Sequence, residues 1–140
     1  MPAFPGPPSG QGREANDPLV LVVDDNVQGL KLARDVLDAA GLRTLGATSG
    51  AEAIALAQEH LPDVILMDIR LPDMDGTDAV RKLRGEARTA PIPVVALSSL
   101  RLDEGGDWFL AVGFAGYLEK PISVAEFPDQ VRSYCSTREP

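Results

Sequence analysis

The chain has 140 residues, of which 44% are hydrophobic, 5% aromatic and 24% charged, and this composition predicts one soluble globular domain with an aliphatic core. The net charge of −8 argues against binding to nucleic acid or to anionic membranes, since both are themselves negatively charged. A single cysteine, no apolar run near the length of a membrane span and no signal-peptide pattern favour a cytoplasmic protein.

The N-terminal segment is rich in proline and glycine. Residues 1–18 hold five prolines and three glycines, and Phe4 is their only large apolar side chain. They bury too little surface to offset the entropy of ordering, so we predict a disordered tail. We expect the folded domain to span residues 19–135 and residues 136–140 to form a short C-terminal tail, with no output domain attached.

After residue 18, short aliphatic runs alternate with stretches of helical periodicity. This alternation is typical of strand-helix units that build a parallel sheet. We predict an α/β fold of five strands and five helices. The strands are expected near residues 19–23, 42–46, 63–67, 92–97 and 115–118.

Capping residues predict where the helices begin. Ser49 with Glu52, and Ser123 with Glu126, fit the capping box, and Asn26 is placed to cap the first helix. Asp75 begins a weaker version of the same pattern. Helix ends are predicted at the glycines Gly41, Gly85 and Gly113.

Two predicted helices contain residues that disfavour a helix. The fourth contains Gly105 and Gly106 near its start, which costs about 2 kcal/mol relative to alanines. The fifth contains Pro128, so either that helix kinks there or its regular part begins at Pro128. Trp108 lies on the fourth predicted helix, where it is either a core residue or an exposed anchor for a partner.

Ionisable and hydroxyl groups follow four of the five predicted strands. The carboxyl ends of parallel strands form one edge of the sheet, and ligands bind in the crevice there. We therefore expect these side chains to converge on one pocket. They are Asp24 and Asp25 after the first strand, Asp68 after the third, Ser98 after the fourth, and Lys120, reached through Tyr117, after the fifth.

Three carboxylates in one pocket repel one another unless a cation lies among them. Hard carboxylate oxygens, with no histidine or thiol nearby, favour Mg²⁺, which combines one or two protein carboxylates with phosphate oxygens. A phosphoryl group would complete such a site, and Lys120 and Ser98 would contact its oxygens. The central position of its strand favours Asp68 as a nucleophile that forms an acyl phosphate.

Other polar residues have simpler interpretations. Asp25 is also placed to cap the first helix. Asp73 and Asp75 fit a turn, so we assign a catalytic role to neither Asp73 nor Asp75. His60 is interpreted as a surface histidine and Cys135 as an inert thiol.

Four motifs together resemble the receiver domain of two-component response regulators. The resemblance covers residues 19–135 and implies a doubly wound, CheY-like (flavodoxin-like) fold, with a five-stranded parallel sheet in the order 2-1-3-4-5 and helices on both faces. The motifs are Leu-Val-Val-Asp24-Asp25-Asn, Val-Ile-Leu-Met-Asp68-Ile-Arg-Leu-Pro-Asp-Met-Asp-Gly76, Val-Val-Ala-Leu-Ser98-Ser and Gly-Tyr117-Leu-Glu-Lys120-Pro121-Ile.

The resemblance implies a role for each site residue. Asp68 matches the phosphoacceptor, which receives a phosphoryl group from a phosphohistidine of a sensor kinase. Asp24 and Asp25 match the acidic pair that holds Mg²⁺, together with Asp68 and the backbone carbonyl of Arg70. Lys120 matches the lysine that pairs with the phosphoryl group.

The remaining matches concern the response to phosphorylation. Ser98 matches the switch hydroxyl, although threonine is more frequent there, and Tyr117 matches the aromatic residue that moves inward with it. The bond between Lys120 and Pro121 is often cis in this family. The face built by the fourth helix, fifth strand and fifth helix is the usual signalling surface, so a stand-alone receiver would act in trans on a target protein or within a phosphorelay.

The resemblance predicts a phosphoacceptor signalling protein, not a dedicated enzyme, and two main alternatives stay open. The first is a receiver-fold interaction module that no longer uses phosphate, although all five site residues are retained. The second is a Mg²⁺-dependent phosphohydrolase with an aspartyl nucleophile, although such enzymes usually place two aspartates two residues apart and carry a substrate-covering domain. A flavin-binding domain of similar architecture is a further, weaker alternative, but no hydroxyl-rich phosphate loop follows the first strand.

Overall fold

The structure is a computed structural model that describes residues 17–98 and 111–135. The predicted C-terminal tail and most of the predicted N-terminal tail lie outside these residues, as does most of the predicted fourth helix, including Gly105, Gly106 and Trp108. In chain order the described elements are β1 (Leu19–Val23), α1 (Val27–Ala39), β2 (Arg43–Ala47), α2 (Gly50–His60), β3 (Val64–Asp68), α3 (Gly76–Arg84), β4 (Val94–Ser98), β5 (Gly116–Glu119) and α4 (Phe127–Tyr134).

The five strands form one parallel sheet in the order β2-β1-β3-β4-β5. This order confirms the doubly wound fold that the motifs implied. The interior strands are nearly continuous aliphatic runs because helices cover both of their faces. Four strands begin within one or two residues of their predicted starts, and β1 has the predicted bounds.

Alternate residues of each strand enter two different core layers, since successive side chains of a strand point to opposite faces. Leu21 and Val23 of β1 pack in the layer covered by α2 and α3. Val20 and Val22 pack in the layer covered by α1 and α4. All four of these side chains are fully buried, so the sheet divides the core into two halves.

The N-terminal end of α1 and its C-terminal end agree with the sequence prediction. The side chain of Asn26 accepts a hydrogen bond from the Gly29 amide at 2.9 Å, which satisfies one of the free amides of the first turn. At the other end, Gly41 has a φ of 94°, and the Leu42 amide donates to the Leu37 carbonyl at 3.1 Å. This is the left-handed helix end that glycine favours.

At the other helix ends the sequence prediction holds only in part. α2 ends at His60, and its C-cap residue Leu61 has a φ of 49° although it is not a glycine. Gly85 is the C-cap residue of α3, as predicted, but it has an ordinary helical φ of −77°. The prediction that Ser123 begins a helix with a capping box was wrong. The Ser123 carbonyl accepts from the amides of Glu126 and Phe127 in a turn that precedes α4.

α4 begins at Phe127, so Pro128 lies in its first turn. The missing amide of proline has no helical partner to lose there. The second of the two predicted alternatives, a regular helix that begins at Pro128, is therefore correct to within one residue. Asp75 occupies the N-cap position of α3, as expected, but its side chain makes no capping hydrogen bond.

Phe127 anchors α4 in the core and offers a test of this packing. Its side chain is fully buried among Val20, Leu66 and other members of the layer covered by α1 and α4. We expect Phe127→Ala to lower the free energy of unfolding by about 3–5 kcal/mol, because it removes buried apolar surface and leaves a cavity. Urea denaturation measures this loss. Val124→Ala, at a side chain that is 60% exposed, is the control and should change stability by less than about 0.5 kcal/mol.

Candidate functional site

The candidate site lies at the carboxyl edge of the sheet, where β1, β3, β4 and β5 end. The strand register places Val23 beside Met67 and Asp68 beside Leu97, so the residues that follow these strands are neighbours. The Lys120 amide donates to the Ser98 carbonyl at 2.8 Å, which continues the pairing of β4 and β5 to the same edge.

Three carboxylates converge there, as the sequence predicted. Asp24, Asp25 and Asp68 each provide an oxygen, and these oxygens all lie within 4.8 Å of one another. The Asp24 side chain is 5% exposed and that of Asp68 is 16% exposed, whereas Asp25 is open to solvent. The cluster therefore combines two shielded carboxylates with one at the mouth of the pocket.

Backbone amides hold the two shielded carboxylates. Asp24 Oδ1 accepts from the Asn26 amide at 2.9 Å, and Asp68 Oδ1 accepts from the Arg70 amide at 3.0 Å. In each case the donor lies two residues further along the chain, so the turn that follows the strand orients the side chain. The second oxygen of each carboxylate, Oδ2, faces Lys120.

The ammonium group of Lys120 lies between these two oxygens. Its Nζ is 2.8 Å from Asp24 Oδ2 and 3.0 Å from Asp68 Oδ2. Burial by itself would lower the pKa of Lys120, but the hydrogen bonds and charges of Asp24 and Asp68 outweigh burial and raise it. The lysine is therefore a fixed positive charge at neutral pH. The peptide bond between Lys120 and Pro121 is cis.

Ser98 and Tyr117, the predicted switch residues, lie on the neighbouring strands β4 and β5. Ser98 is buried at the last position of β4. Tyr117 is partly buried, is paired in register with Ala96, and packs against the core layer covered by α2 and α3. The side chain of Arg70 is exposed, and this residue forms an isolated antiparallel bridge with Asp75.

The loop that follows Asp68 turns sharply into α3. The Gly76 amide donates to the Ile69 carbonyl at 2.7 Å. A Cβ atom at position 76 would lie only 2.9 Å from the Asp68 carbonyl oxygen and 3.0 Å from Ile69 Cα. Only glycine lets α3 begin directly against the backbone of the candidate phosphoacceptor, which accounts for Gly76 in the motif.

One residue next to the site has a role that the sequence interpretation missed. The sequence predicts a turn role for Asp73, but in the structure its carboxylate accepts from the Gly50 amide at 2.8 Å and from the Ala51 amide at 2.9 Å. These hydrogen bonds lower the pKa of Asp73. The available signal was that Ser49 can satisfy only part of the first turn of α2, which leaves amides without a local acceptor.

The lowered pKa of Asp73 predicts a pH-dependent contribution to stability. A carboxyl group whose pKa is depressed on folding stabilises the fold above its ordinary pKa of 3.8, and this contribution is lost as the pH falls through the lowered value. We therefore expect Asp73→Asn to lower the urea midpoint at neutral pH, with the difference from the unchanged protein shrinking in strong acid. Asp75→Asn, in the same loop but without a capping hydrogen bond, should show neither effect.

The structure places the remaining polar candidates away from the site. His60 is exposed, and its Nε2 lies 3.9 Å from Glu59 Oε2. Burial raises the pKa of the Cys135 thiol to about 11, so this thiol is protonated at neutral pH. Capping of α1 belongs to Asn26, not to Asp25.

Residues 20–132 match the family model of the response regulator receiver domain. The chain belongs to this family, and its sheet order is the one that the resemblance implied. Within the family it is 38% identical, over 115 residues, to the polar-differentiation response regulator DivK of Brucella ovis. That alignment covers 82% of this chain and 94% of the relative.

Solved structures of receiver domains have the same fold. The chemotaxis response regulator CheY4 of Vibrio cholerae has a TM-score of 0.80 at 28% identity, covering 85% of this chain and 99% of that one. The receiver domain of the sensor histidine kinase PA1611 of Pseudomonas aeruginosa PAO1 has a TM-score of 0.75 at 31% identity, covering 84% and 97%, and coordinates a magnesium ion in its active site cleft. Within residues 17–98 and 111–135, no helix is long and apolar enough to span a bilayer.

Proposed function

We propose that this receiver domain accepts a phosphoryl group from a phosphohistidine onto Asp68, in the presence of Mg²⁺, and transmits the signal in trans. The observation that supports this proposal best is the position of Lys120 Nζ, within 3.0 Å of carboxylate oxygens of both Asp24 and Asp68. Two shielded carboxylates that share one ammonium form a site ready for an additional cation and an anionic phosphoryl group.

The donor set suits Mg²⁺. Three carboxylate oxygens within 4.8 Å of one another are hard ligands, and the open side of the pocket at Asp25 leaves room for water and phosphate oxygens. Asp24, Asp25 and Asp68 would hold the ion, together with the backbone carbonyl of Arg70. When bound, Mg²⁺ would neutralise negative charge that the carboxylates and the phosphoryl oxygens bring together.

Phosphoryl transfer needs a nucleophile and a leaving group. A carboxylate oxygen of Asp68 attacks the phosphorus atom, and the bond between phosphorus and the donor imidazole nitrogen breaks. The electron pair of that bond returns to the imidazole, and an acyl phosphate remains on Asp68. Lys120 stabilises the charge on the transferred oxygens because its ammonium already contacts Asp68 Oδ2.

Ser98 and Tyr117 would convert phosphorylation into a change of surface. Ser98 ends β4 beside the site, and Tyr117 lies on the adjacent strand β5. We propose that the Ser98 hydroxyl turns toward the phosphoryl group and that Tyr117 moves inward with it. A shift between two such states needs only a difference in contacts between them.

The altered surface would lie around β5 and α4. Within the described residues, a groove there is lined by apolar and polar residues, among them Leu118, Glu119, Glu126 and Gln130. We propose that a downstream target protein binds this face and that a sensor histidine kinase or phosphotransfer protein supplies the phosphoryl group. The domain would promote only its own phosphorylation and dephosphorylation, so we do not propose a dedicated enzyme.

Intact-mass analysis after incubation with acetyl phosphate tests the proposal. With Mg²⁺ we expect the mass of one phosphoryl group to be added, and with EDTA in place of Mg²⁺ we expect almost none. No addition under either condition would favour the phosphate-independent interaction module. Continuous release of phosphate from unrelated phosphate esters would favour the hydrolase.

A further inference from the structure

The first turn of α2 is capped from two different parts of the chain. The Ser49 hydroxyl accepts from the Glu52 amide at 3.2 Å, which is the local cap. The carboxylate of Asp73 accepts from the amides of Gly50 and Ala51 at 2.8 and 2.9 Å, across sequence separations of 23 and 22 residues. Together these two caps satisfy three of the four amides that a helix leaves without partners at its N-terminus.

The residue after Asp73 packs on the same helix end. A Cβ atom at Gly50 would lie 2.5 Å from Met74 Cγ and 2.7 Å from Met74 Sδ, so the Met74 side chain lies directly against the α carbon of Gly50. Met74 also packs against the core layer covered by α2 and α3. Two consecutive loop residues thus bind the start of α2, one through charge-assisted hydrogen bonds and one through apolar contact.

This loop is also the one that begins at the candidate phosphoacceptor. It leaves β3 at Asp68, whose Oδ1 accepts from the Arg70 amide at 3.0 Å. It closes where the Gly76 amide donates to the Ile69 carbonyl at 2.7 Å. Between these points, Leu71 packs against the core layer covered by α2 and α3, and Asp73 and Met74 attach the loop to the start of α2.

We propose that Asp73 is a positioning residue for the metal site. By binding the start of α2 it holds the loop between β3 and α3, and thereby the backbone carbonyl of Arg70, in the arrangement that the metal ion requires. The inference rests on the proposed function, because it assigns the Arg70 carbonyl to the Mg²⁺ site. Asp73 itself does not touch the ion, so its effect passes through the loop backbone.

Calorimetric titration with MgCl₂ tests this role, and the chain offers a matched control. Asp73→Asn removes the carboxylate charge and one of its two acceptor oxygens, and we expect about tenfold weaker Mg²⁺ binding, in the range typical of residues that orient metal ligands. Ser49→Ala removes the other cap of the same helix but has no hydrogen bond to the loop. It should lower the melting temperature and leave the Mg²⁺ affinity unchanged.

Hydrogen exchange in the metal-free protein provides a second readout, independent of the ion. We expect the amides of residues 69–76 to exchange faster in Asp73→Asn than in the unchanged protein, and at the unchanged rate in Ser49→Ala. Asp73→Glu keeps a carboxylate and should recover part of the Mg²⁺ affinity.

Three results would overturn the proposal. These are equal Mg²⁺ affinity in Asp73→Asn and the unchanged protein, an equal loss in Ser49→Ala, and unchanged exchange of the loop in Asp73→Asn. Failure of the unchanged protein to bind Mg²⁺ at all is a different outcome. It would refute the proposed metal site, and the positioning role with it.

Discussion

Asparagine in place of Asp68 is expected to abolish phosphoryl uptake from acetyl phosphate in the presence of Mg²⁺. The amide is nearly the same size as the carboxylate and retains an acceptor oxygen for the Arg70 amide, which donates to Asp68 Oδ1 at 3.0 Å. It has no negative charge and is a poor nucleophile toward phosphorus. The fold should therefore persist while the reaction stops; circular dichroism checks the fold, and intact-mass analysis checks phosphoryl uptake.

A second aspartate of the same loop serves as the control for this substitution. Asp75 is exposed, and its side chain makes no capping hydrogen bond to α3. We expect Asp75→Asn to gain one phosphoryl group at the rate of the unchanged protein. Uptake by Asp68→Asn at that same rate would show that another residue is the acceptor, and peptide mapping of the product would locate it.

Methionine in place of Lys120 is expected to separate metal binding from phosphoryl transfer. The ammonium contacts Asp24 Oδ2 and Asp68 Oδ2 at 2.8 and 3.0 Å, so it supplies positive charge where transferred oxygens would lie. Loss of one preorganised donor of this kind typically slows a reaction about 100- to 1,000-fold. We expect the uptake rate to fall in that range.

Mg²⁺ binding by the same variant should change in the opposite direction or not at all. Lys120 competes with a cation for the two shielded carboxylates, and its removal leaves their negative charge unbalanced. We therefore expect calorimetry to show Mg²⁺ affinity in Lys120→Met at least equal to that of the unchanged protein. A large loss of Mg²⁺ affinity would mean that Lys120 shapes the pocket instead of serving the transferred group.

Lys31→Met is the matched control for Lys120→Met. Lys31 also pairs with an aspartate at 2.8 Å, namely Asp35, but this pair lies on the outer face of α1 and the Lys31 side chain is 75% exposed. Ion pairs so exposed to solvent contribute little to the stability of the fold. Uptake rate and Mg²⁺ affinity should both stay unchanged, which would attribute the effects of Lys120→Met to the position of the charge and not to the loss of one lysine.

Much of the fold and site could be predicted from local patterns. Strands such as β1 and β3 are short aliphatic runs followed by acidic residues, and parallel strands that share a sheet must end at a common edge. For this reason the sequence alone predicts that Asp24, Asp68 and Lys120 lie together. The N-cap at Asn26 and the helix end at Gly41 could also be predicted from the sequence, because the interactions that form them span only a few residues.

Patterns within a few residues were misleading where a distant contact decides the outcome. Ser123 and Glu126 have the spacing of a capping box, yet α4 begins only at Phe127, where the fully buried aromatic ring anchors the helix in the core. Leu61 adopts a left-handed conformation that its residue type disfavours. It occupies the position at which the chain leaves α2, and its side chain packs against the core.

The order of residues by itself determined the class of fold, the edge at which the site forms and the chemical character of its side chains, since hydrophobic period and strand direction are local or topological properties. Only the tertiary structure decided that Asp73 caps α2, that Met74 covers Gly50, and that Lys120 Nζ lies between two carboxylates. Such contacts join segments far apart in the chain, and their existence depends on distances of a few ångströms that no spacing in the sequence encodes.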